Sequence, residues 1–120
     1  MSVSLLGLRT VIYPVSDLTA SKEWWTGLLG YSPYFDEPFY VGFNVGGYEL
    51  GLLPDGDIAD GAQVYWGVDD VTKAVDTAVE KGAVVLAPAT DVGDGIITAT
   101  VRIPDGGVVG FIRNPHFNLT

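Results

Sequence analysis

The stretch VYWGVDDVTKAVDTAVEKGAVVLAP, residues 64–88, decides the fold because its strand–helix–strand pattern occurs twice in the chain. An apolar run ends at Asp70, a helical pattern follows, and a second apolar run closes the stretch. The earlier copy, VIYPVSDLTASKEWWTGLLGYSP, covers residues 11–33 and places Asp17 on Asp70. Self-similarity at about half of the chain length indicates the architecture before any single residue is interpreted. We therefore predict a duplicated strand–helix–strand unit.

Both copies carry the signals of a helix followed by three strands. Asp17 and Asp70 stand where helix N-caps belong, and apolar residues at helical spacing follow each of them. The first helix is predicted over residues 18–29. Apolar and β-branched runs predict strands over 7–15, 31–35, 40–45 and 48–53 in the first copy. In the second copy the predicted strands cover 63–68, 83–87, 96–103 and 107–112, so the chain reads as two βαβββ modules.

We expect residues 1–120 to form a single domain. Module one covers about 5–54, the turn-rich acidic segment 54–62 is the connector, and module two covers about 63–114. The two modules are expected to share one domain because a half of ~60 residues seldom supplies enough hydrophobic core alone.

Composition narrows the classes of partner. Fifteen acidic against six basic residues give a net charge of -9, which disfavours nucleic acid and anionic membrane surfaces through repulsion. The chain has no cysteine, which leaves no disulfide framework and no thiolate nucleophile. It has no apolar run near the ~20 residues that a membrane span needs. We expect a soluble, cytoplasmic protein.

Five segments in this order resemble the vicinal oxygen chelate superfamily, which groups glyoxalase, bleomycin resistance proteins and extradiol dioxygenases. They are the helix entries VSDL (15–18) and VDDV (68–71), then YVGFNVGGYELGL (40–52), DVGDG (91–95) and PDGGVVGFI (104–112). The resemblance implies an α+β fold in which two βαβββ modules form a half-open eight-stranded barrel, the glyoxalase/bleomycin resistance fold. Its concave face would be the ligand site.

The resemblance also implies where the metal ligands of metal-dependent members would fall. They fall on Thr10, Gln63, Gly110 and either Glu49 or Gly51, of which Gly51 is preferred because module symmetry aligns it with Gly110. A divalent ion needs about three good protein ligands, and hydroxyl or amide groups alone hold it poorly. The chain is thus expected to be a member lacking most metal ligands, with no cofactor. The single histidine is expected to be a solvated tail residue.

Glycine at two former carboxylate positions is expected to enlarge the cavity and remove its charge, which suits an apolar or aromatic ligand. Core packing is the alternative for Phe43 and Tyr65. The predicted ligand-binding residues are Thr10, Ile12, Phe43, Glu49, Gly51, Leu53, Gln63, Tyr65, Arg102, Gly110 and Ile112.

Three functions follow, in order of preference. The first is a metal-independent protein of the bleomycin-resistance type, a homodimer that binds a small, partly apolar molecule. The second is a glyoxalase-like lyase or isomerase in which Glu49 is the catalytic base or a residual metal ligand. For Glu49 itself, however, a surface carboxylate beside the Gly46-Gly47 turn is the preferred interpretation. The third is a dimerisation or regulatory module without a ligand, using the loop 91–95. Module pairing within one chain and exchange between chains both fit the connector.

Overall fold

A computed structural model describes residues 2–116, and it contains two βαβββ modules in this part of the chain. The first module consists of β1 (Leu8–Pro14), α1 (Leu18–Leu29), β2 (Phe35–Glu37), β3 (Tyr40–Val45) and β4 (Tyr48–Leu53). The second consists of β5 (Gln63–Gly67), α2 (Val71–Glu80), β6 (Val84–Asp91), β7 (Ile97–Arg102) and β8 (Val108–Arg113). The α+β prediction of two such modules is confirmed.

The described chain separates into two compact units. One is Thr10–Gln63, and the other combines residues 2–9 with 64–116. The first residues of the chain therefore group with module two, whereas the sequence assigned them to module one. The reason is a pair of backbone hydrogen bonds: Leu6 N–H donates to Gly67 O at 2.8 Å, and Gly67 N–H donates to Gly7 O at 2.8 Å. That residues 1–120 act as a single domain stays a prediction.

In the unit Thr10–Gln63 the strand order is β2-β3-β4-β1, antiparallel except that β1 runs parallel to β4. The Asp17 side chain accepts a hydrogen bond from Ala20 N–H at 3.0 Å, which begins α1 as predicted. Gly30 closes the helix with φ 84°, a conformation that favours glycine. One side of the sheet is buried under α1 and carries the core residues Val15, Val41, Phe43, Leu50 and Leu52.

The other unit repeats this arrangement with the strand order β5-β8-β7-β6 and β5 parallel to β8. The Asp70 side chain accepts from Lys73 N–H at 3.0 Å and begins α2. The helix buries Val71, Ala74 and Val75 against one side of the sheet. The core of this unit consists of Val68, Val71, Ala74, Val75, Ala83, Ala99, Val101 and Phe111.

The second strand of module one differs from its prediction. It covers Phe35–Glu37, whereas residues 31–35 were expected to be extended and residues 36–38 to interrupt the sheet. Two contacts explain why the strand begins later than predicted. Asp36 pairs with Val41 of β3, and the Asp36 carboxylate forms an ion pair with Lys22 Nζ of α1 at 3.1 Å. Backbone pairing with β3, together with a surface ion pair between α1 and β2, thus accommodates an acidic residue in a strand that its propensity disfavours.

Within residues 2–116, the longest helices are too short and too polar to cross a membrane.

Candidate functional site

A buried carboxylate lies at the centre of the first module's sheet. Glu49 on β4 is only 9% exposed, and its neighbour across the strand pair is Thr10, which is 2% exposed. The Thr10 hydroxyl donates to Glu49 Oε1 at 3.2 Å, and the Tyr34 hydroxyl donates to Glu49 Oε2. The interpretation of Glu49 as a surface carboxylate is therefore wrong, because both of its oxygens are held by hydroxyl groups in a largely dry position.

Strand register explains how these groups meet. In the parallel pair β1–β4, Thr10 lies opposite Glu49 and Ile12 lies opposite Gly51. Successive residues of a strand point to opposite faces of the sheet, and Leu50 and Leu52 belong to the core under α1. The face away from α1 therefore carries five of the predicted ligand-binding residues. These are Thr10, Ile12, Glu49, Gly51 and Leu53.

Tyr34 joins this face from the loop before β2. Burial of its ring, the hydrogen bond to Glu49 and the negative charge of that carboxylate all raise the pKa of Tyr34 above its ordinary value. The phenol thus remains a neutral donor across the physiological range. It gives the carboxylate a hydrogen-bonding partner whose ring is still half-exposed to solvent.

Gly51 does not leave open space. A Cβ atom built at this position would meet the hydroxyl oxygen of Tyr40, with the ring carbon Cζ at 2.6 Å. Such distances are well inside the ~3.5 Å at which carbon atoms normally touch. The Tyr40 phenol therefore occupies the volume that a side chain at residue 51 would need.

Gly110 shows the same feature in the other unit. A Cβ atom there would lie 2.5 Å from Tyr65 Cδ2 and 2.7 Å from the Val64 carbonyl oxygen. The expectation that the two glycines enlarge a cavity is therefore wrong at both positions, because an aromatic ring fills each space. Burial also raises the pKa of the Tyr65 phenol.

The two glycines occupy equivalent positions. Gly51 lies opposite Ile12, and Gly110 lies opposite Tyr65, in the corresponding parallel strand pairs. This register agrees with the preference for Gly51 over Glu49 as the counterpart of Gly110. Glu49 stands two residues earlier on the same face.

Phe43 does not belong to the candidate site. Its side chain is 0% exposed and packs among Val41, Leu50 and Leu52 on the α1 side of the sheet. The prediction of a ligand contact is wrong, because β3 pairs Phe43 with Leu50 and so gives both side chains the same face. Ordinary core packing, the alternative considered for this residue, is what the structure shows.

The remaining predicted residues lie in or beside β5, β7 and β8. Tyr65, Gly110 and Ile112 lie on the sheet face away from α2, and Ile112 is buried. Arg102 is exposed, and its guanidinium donates to Gly106 O at 2.7 Å, which ties it to the turn before β8. Gln63, the first residue of β5, is half-buried.

Two surface cavities involve none of these residues. One of about 500 Å³ lies along α1 and is lined by Lys22, Glu23, Thr26, Gly27, Ser32, Pro33 and Asp36. The other, of about 310 Å³, lies beside the start of α2 and is lined by Ser2, Val3, Ser4, Val68, Asp69, Asp70, Lys73, Ala74 and Thr77. Neither places a carboxylate in a dry setting comparable to that of Glu49.

Comparison with known proteins identifies the family. Residues 7–111 match the family model described as the Glyoxalase/Bleomycin resistance protein/Dioxygenase superfamily. The chain belongs to this superfamily. Over 120 residues it is 31% identical to proteins of Mycobacterium tuberculosis and Mycobacterium bovis named putative glyoxylase CFP32. That alignment covers 88% of this chain and 45% of each relative, so the chain spans about half the length of the curated relatives it matches.

Solved structures of other proteins show the same fold. A variant of Streptomyces coelicolor methylmalonyl-CoA epimerase, in complex with 2-nitronate-propionyl-CoA, superposes with a TM-score of 0.73 at 18% identity. The match covers 96% of this chain and 99% of that one. A superfamily member from Vibrio splendidus gives a TM-score of 0.63 at 17% identity, covering 89% and 99% of the two chains. At these identities the likeness concerns the fold alone.

The residues present do not fit the divalent metal that the superfamily's metal-dependent members use. At the four positions where the resemblance places the metal ligands, this chain has Thr10, Gly51, Gln63 and Gly110, which offer no imidazole and no carboxylate. Glu49, the alternative to Gly51 at one of these positions, already accepts two hydroxyl hydrogen bonds. Within residues 2–116, His, Cys, Asp and Glu side chains nowhere form a group of three or more able to hold a metal ion. The expected lack of a cofactor stays a prediction, with this donor set as its support.

Sequence reasoning missed Tyr34, which donates to Glu49 from the loop before β2, and Phe39, which lies in the turn between β2 and β3 with its ring beside Phe35. A usable signal existed, because residues 34–40, YFDEPFY, hold four aromatic side chains in seven positions. Tyr40 was predicted only as the first residue of the strand 40–45. What the sequence does not give is the direction of each ring, which depends on the register of β2 against β3.

Proposed function

We propose that this protein binds a small, partly apolar or aromatic molecule without a metal ion. The ligand lies on the sheet face away from α1, where Glu49, Tyr34 and Thr10 form a hydrogen-bonded group. The observation that carries the proposal is a buried carboxylate whose donor, Tyr34, is 52% exposed. A polar group of this kind beside accessible aromatic surface can fix the orientation of a ligand while the rings supply contact area.

The filled glycine positions support recognition by stacking. The Tyr40 ring covers Gly51, so this part of the face presents an aromatic surface where a side chain at position 51 would otherwise stand. Tyr65 covers Gly110 in the same way in the other unit. Aromatic rings with polar tips favour flat ligands that accept or donate one or two hydrogen bonds.

A titration with a panel of flat aromatic molecules tests the proposal. The protein is treated with a chelator, and backbone amide shifts are followed by NMR as each molecule is added. The expected result is saturable shifts at Tyr34, Tyr40 and Glu49, which weaken in Tyr34→Phe. Tyr31→Phe is the matched control, because the Tyr31 hydroxyl donates to Asn44 O at 2.9 Å and not to Glu49. Shifts that are absent across the panel, or equal in both variants, would contradict the proposal.

The burial of Glu49 favours a second candidate function, proton transfer of the lyase or isomerase kind. A carboxylate in this position can remove a proton from a carbon next to a carbonyl, leaving the electron pair as an enolate, and then return the proton. Tyr34 would hold the second carboxylate oxygen in place during both steps. A positioned general base contributes about 10²–10⁴ in rate.

Deuterium exchange separates this function from binding alone. Small ketones and thioesters are incubated with the protein in D₂O, and loss of the proton signal next to the carbonyl is followed by NMR. Catalysis predicts exchange that falls at least about 100-fold in Glu49→Gln and is unchanged in Tyr31→Phe. Exchange at the rate of buffer alone would leave binding as the function.

A further inference from the structure

The sheet face away from α1 carries Glu49, and we call it the Glu49 face. Four aromatic side chains gather at its edge. We call Tyr34, Phe35, Phe39 and Tyr40 the aromatic cluster. The Phe35 ring is its centre, with ring centroids 6.4 Å from Tyr34, 6.0 Å from Phe39 and 6.1 Å from Tyr40. These separations lie in the range of interacting aromatic pairs. The rings therefore form one group, and Tyr34 connects that group to Glu49.

The aromatic cluster is not part of the hydrophobic core. Phe39 is 61% exposed and Phe35 is 36% exposed. Strand pairing places Phe35 opposite Gly42, on the side of the sheet away from α1, so the helix cannot cover it. A contiguous group of exposed aromatic rings at the rim of a candidate site is typical of a binding surface.

The charge around the aromatic cluster is negative. Glu49 accepts the hydrogen bond of Tyr34. Glu37 is the strand partner of Tyr40, so the side chain of Glu37 lies on the same face of the sheet as the Tyr40 ring. The basic side chain nearest in sequence, Lys22, is held at 3.1 Å by Asp36, whose strand partner Val41 faces the α1 side. The whole chain carries a net charge of -9. Carboxylates and the negative faces of aromatic rings both attract a cation, whereas an anionic ligand would be repelled by the same groups.

We propose that the aromatic cluster binds the ammonium group of an organic cation, with the apolar part of that ligand on the Tyr40 side of Glu49. This inference rests on the proposed function and names its ligand class: a primary to quaternary amine on an apolar or aromatic body. The rings supply cation–π contacts, and Glu49 with Glu37 supplies charge complementarity. Methylated ammonium groups suit such a site because they are weakly hydrated and need no hydrogen bonds.

A matched pair of probes separates the cation from its apolar body. The pair is meta-hydroxyphenyl-trimethylammonium and meta-tert-butylphenol, which have nearly the same shape and differ in one positive charge. Each is titrated into the full chain by calorimetry, with amide shifts of residues 34–40 followed by NMR. The expected result is that the cation binds about ten-fold more tightly or better, as several cation–π contacts and a carboxylate require.

Variants assign the effect to the cluster. Phe39→Leu keeps an apolar side chain at an exposed position, so the fold is preserved, and it removes one ring. It is expected to weaken binding of the cation about three-fold and to leave the neutral probe unchanged. The matched control is Tyr48→Leu. The Tyr48 ring is also exposed, but Tyr48 pairs with Val45 and its side chain lies on the α1 side of the hairpin formed by β3 and β4.

The outcomes distinguish this inference from the function on which it rests. Equal affinity for the two probes at residues 34–40 would overturn the cation inference and leave a neutral aromatic ligand. Absence of binding by both probes would count against the proposed function as well. A cation preference that Phe39→Leu leaves unchanged would mean that net charge alone is responsible, and a preference that Tyr48→Leu reduces as much as Phe39→Leu would mean that the aromatic cluster has no special part in it. Either result would overturn the assignment to the aromatic cluster.

Discussion

The substitution Gly110→Ala adds one methyl group and tests whether the space beside Gly110 is already filled. The superfamily resemblance implies a carboxylate at this position. Gly110 lies in β8, between β5 and β7, and its φ is not positive, so alanine brings no backbone strain of its own. The new Cβ atom would lie 2.7 Å from the Val64 carbonyl oxygen and 2.5 Å from Tyr65 Cδ2. The ring can turn aside, but the carbonyl belongs to the neighbouring strand and moves only if that strand moves.

The expected loss of stability follows from two opposing terms. Overpacking of a well-packed site costs about 1–3 kcal/mol. Replacing a strand glycine by alanine stabilises the folded state by about 0.5–1 kcal/mol, because the unfolded chain has less conformational freedom to lose. The two ranges give a net destabilisation of up to about 2.5 kcal/mol for Gly110→Ala, with a midpoint of about 1.3 kcal/mol. With an unfolding entropy of about 2.1 cal/mol/K per residue over 120 residues, the midpoint lowers the melting temperature by about 5 °C.

Urea unfolding followed by circular dichroism, together with calorimetry, measures this change. The control is Gly27→Ala in α1, where a Cβ atom would have no neighbour within 4 Å. That substitution is expected to stabilise the protein by up to about 1 kcal/mol, since alanine is the better helix former. If Gly110→Ala were as stable as the original chain or more so, the space beside Gly110 would be open. The conclusion that Tyr65 and the Val64 carbonyl fill this space would then be refuted.

Three further predictions concern the other unit, Thr10–Gln63. Glu49→Ala leaves the buried Thr10 hydroxyl without its acceptor and is expected to destabilise the protein by about 1–3 kcal/mol in urea unfolding; a loss within experimental error would contradict the buried hydrogen-bonded group. Because the pKa of Tyr34 is raised in the folded state, its stabilising contribution is complete below its unfolded pKa of about 10 and is lost as pH rises above it. Unfolding between pH 9 and 12 should therefore show a smaller loss of stability in Tyr34→Phe than in the original chain, and equal losses would count against the contact. Phe43→Ala opens the core under α1 and should cost about 3–5 kcal/mol, whereas a ligand-contact role would change affinity with little change in stability.

The helices and most strands were predictable because local chemistry determines them. Asp17 and Asp70 accept hydrogen bonds from the first turn of their helices as the sequence indicated. The duplicated pattern then fixes the order of the remaining elements. The equivalence of Gly51 and Gly110 also follows from the repeat and agrees with the strand register.

The burial of Glu49 was not predictable from its own surroundings. Its partner Thr10 is 39 residues away in sequence, and the contact exists only because β1 pairs with β4 in one particular register. The position of Phe43 was within reach, however. A two-residue turn at Gly46-Gly47 pairs Phe43 with Leu50 across the hairpin and so gives both the same face. Strand alternation applied to both strands of the hairpin would have placed Phe43 in the core.

The filled glycine positions were beyond sequence reasoning for a different reason. Alternation indicates which face a side chain occupies, but not where along that face a long aromatic ring comes to rest. Tyr40 and Tyr65 each extend over a glycine of the neighbouring strand, and that choice depends on the absence of a side chain there. A glycine facing a candidate site is therefore as consistent with a covering ring as with an open cavity.

The most direct test of the account follows ligand-induced amide shifts in chelator-treated protein, with the aromatic panel as titrant. Metal-independent binding on the Glu49 face predicts saturable shifts at Thr10, Tyr34 and Glu49 in the absence of any divalent ion. Shifts that arise only after Zn²⁺, Ni²⁺ or Mn²⁺ is added would contradict it. So would shifts confined to the cavity along α1, around Gly27 and Pro33.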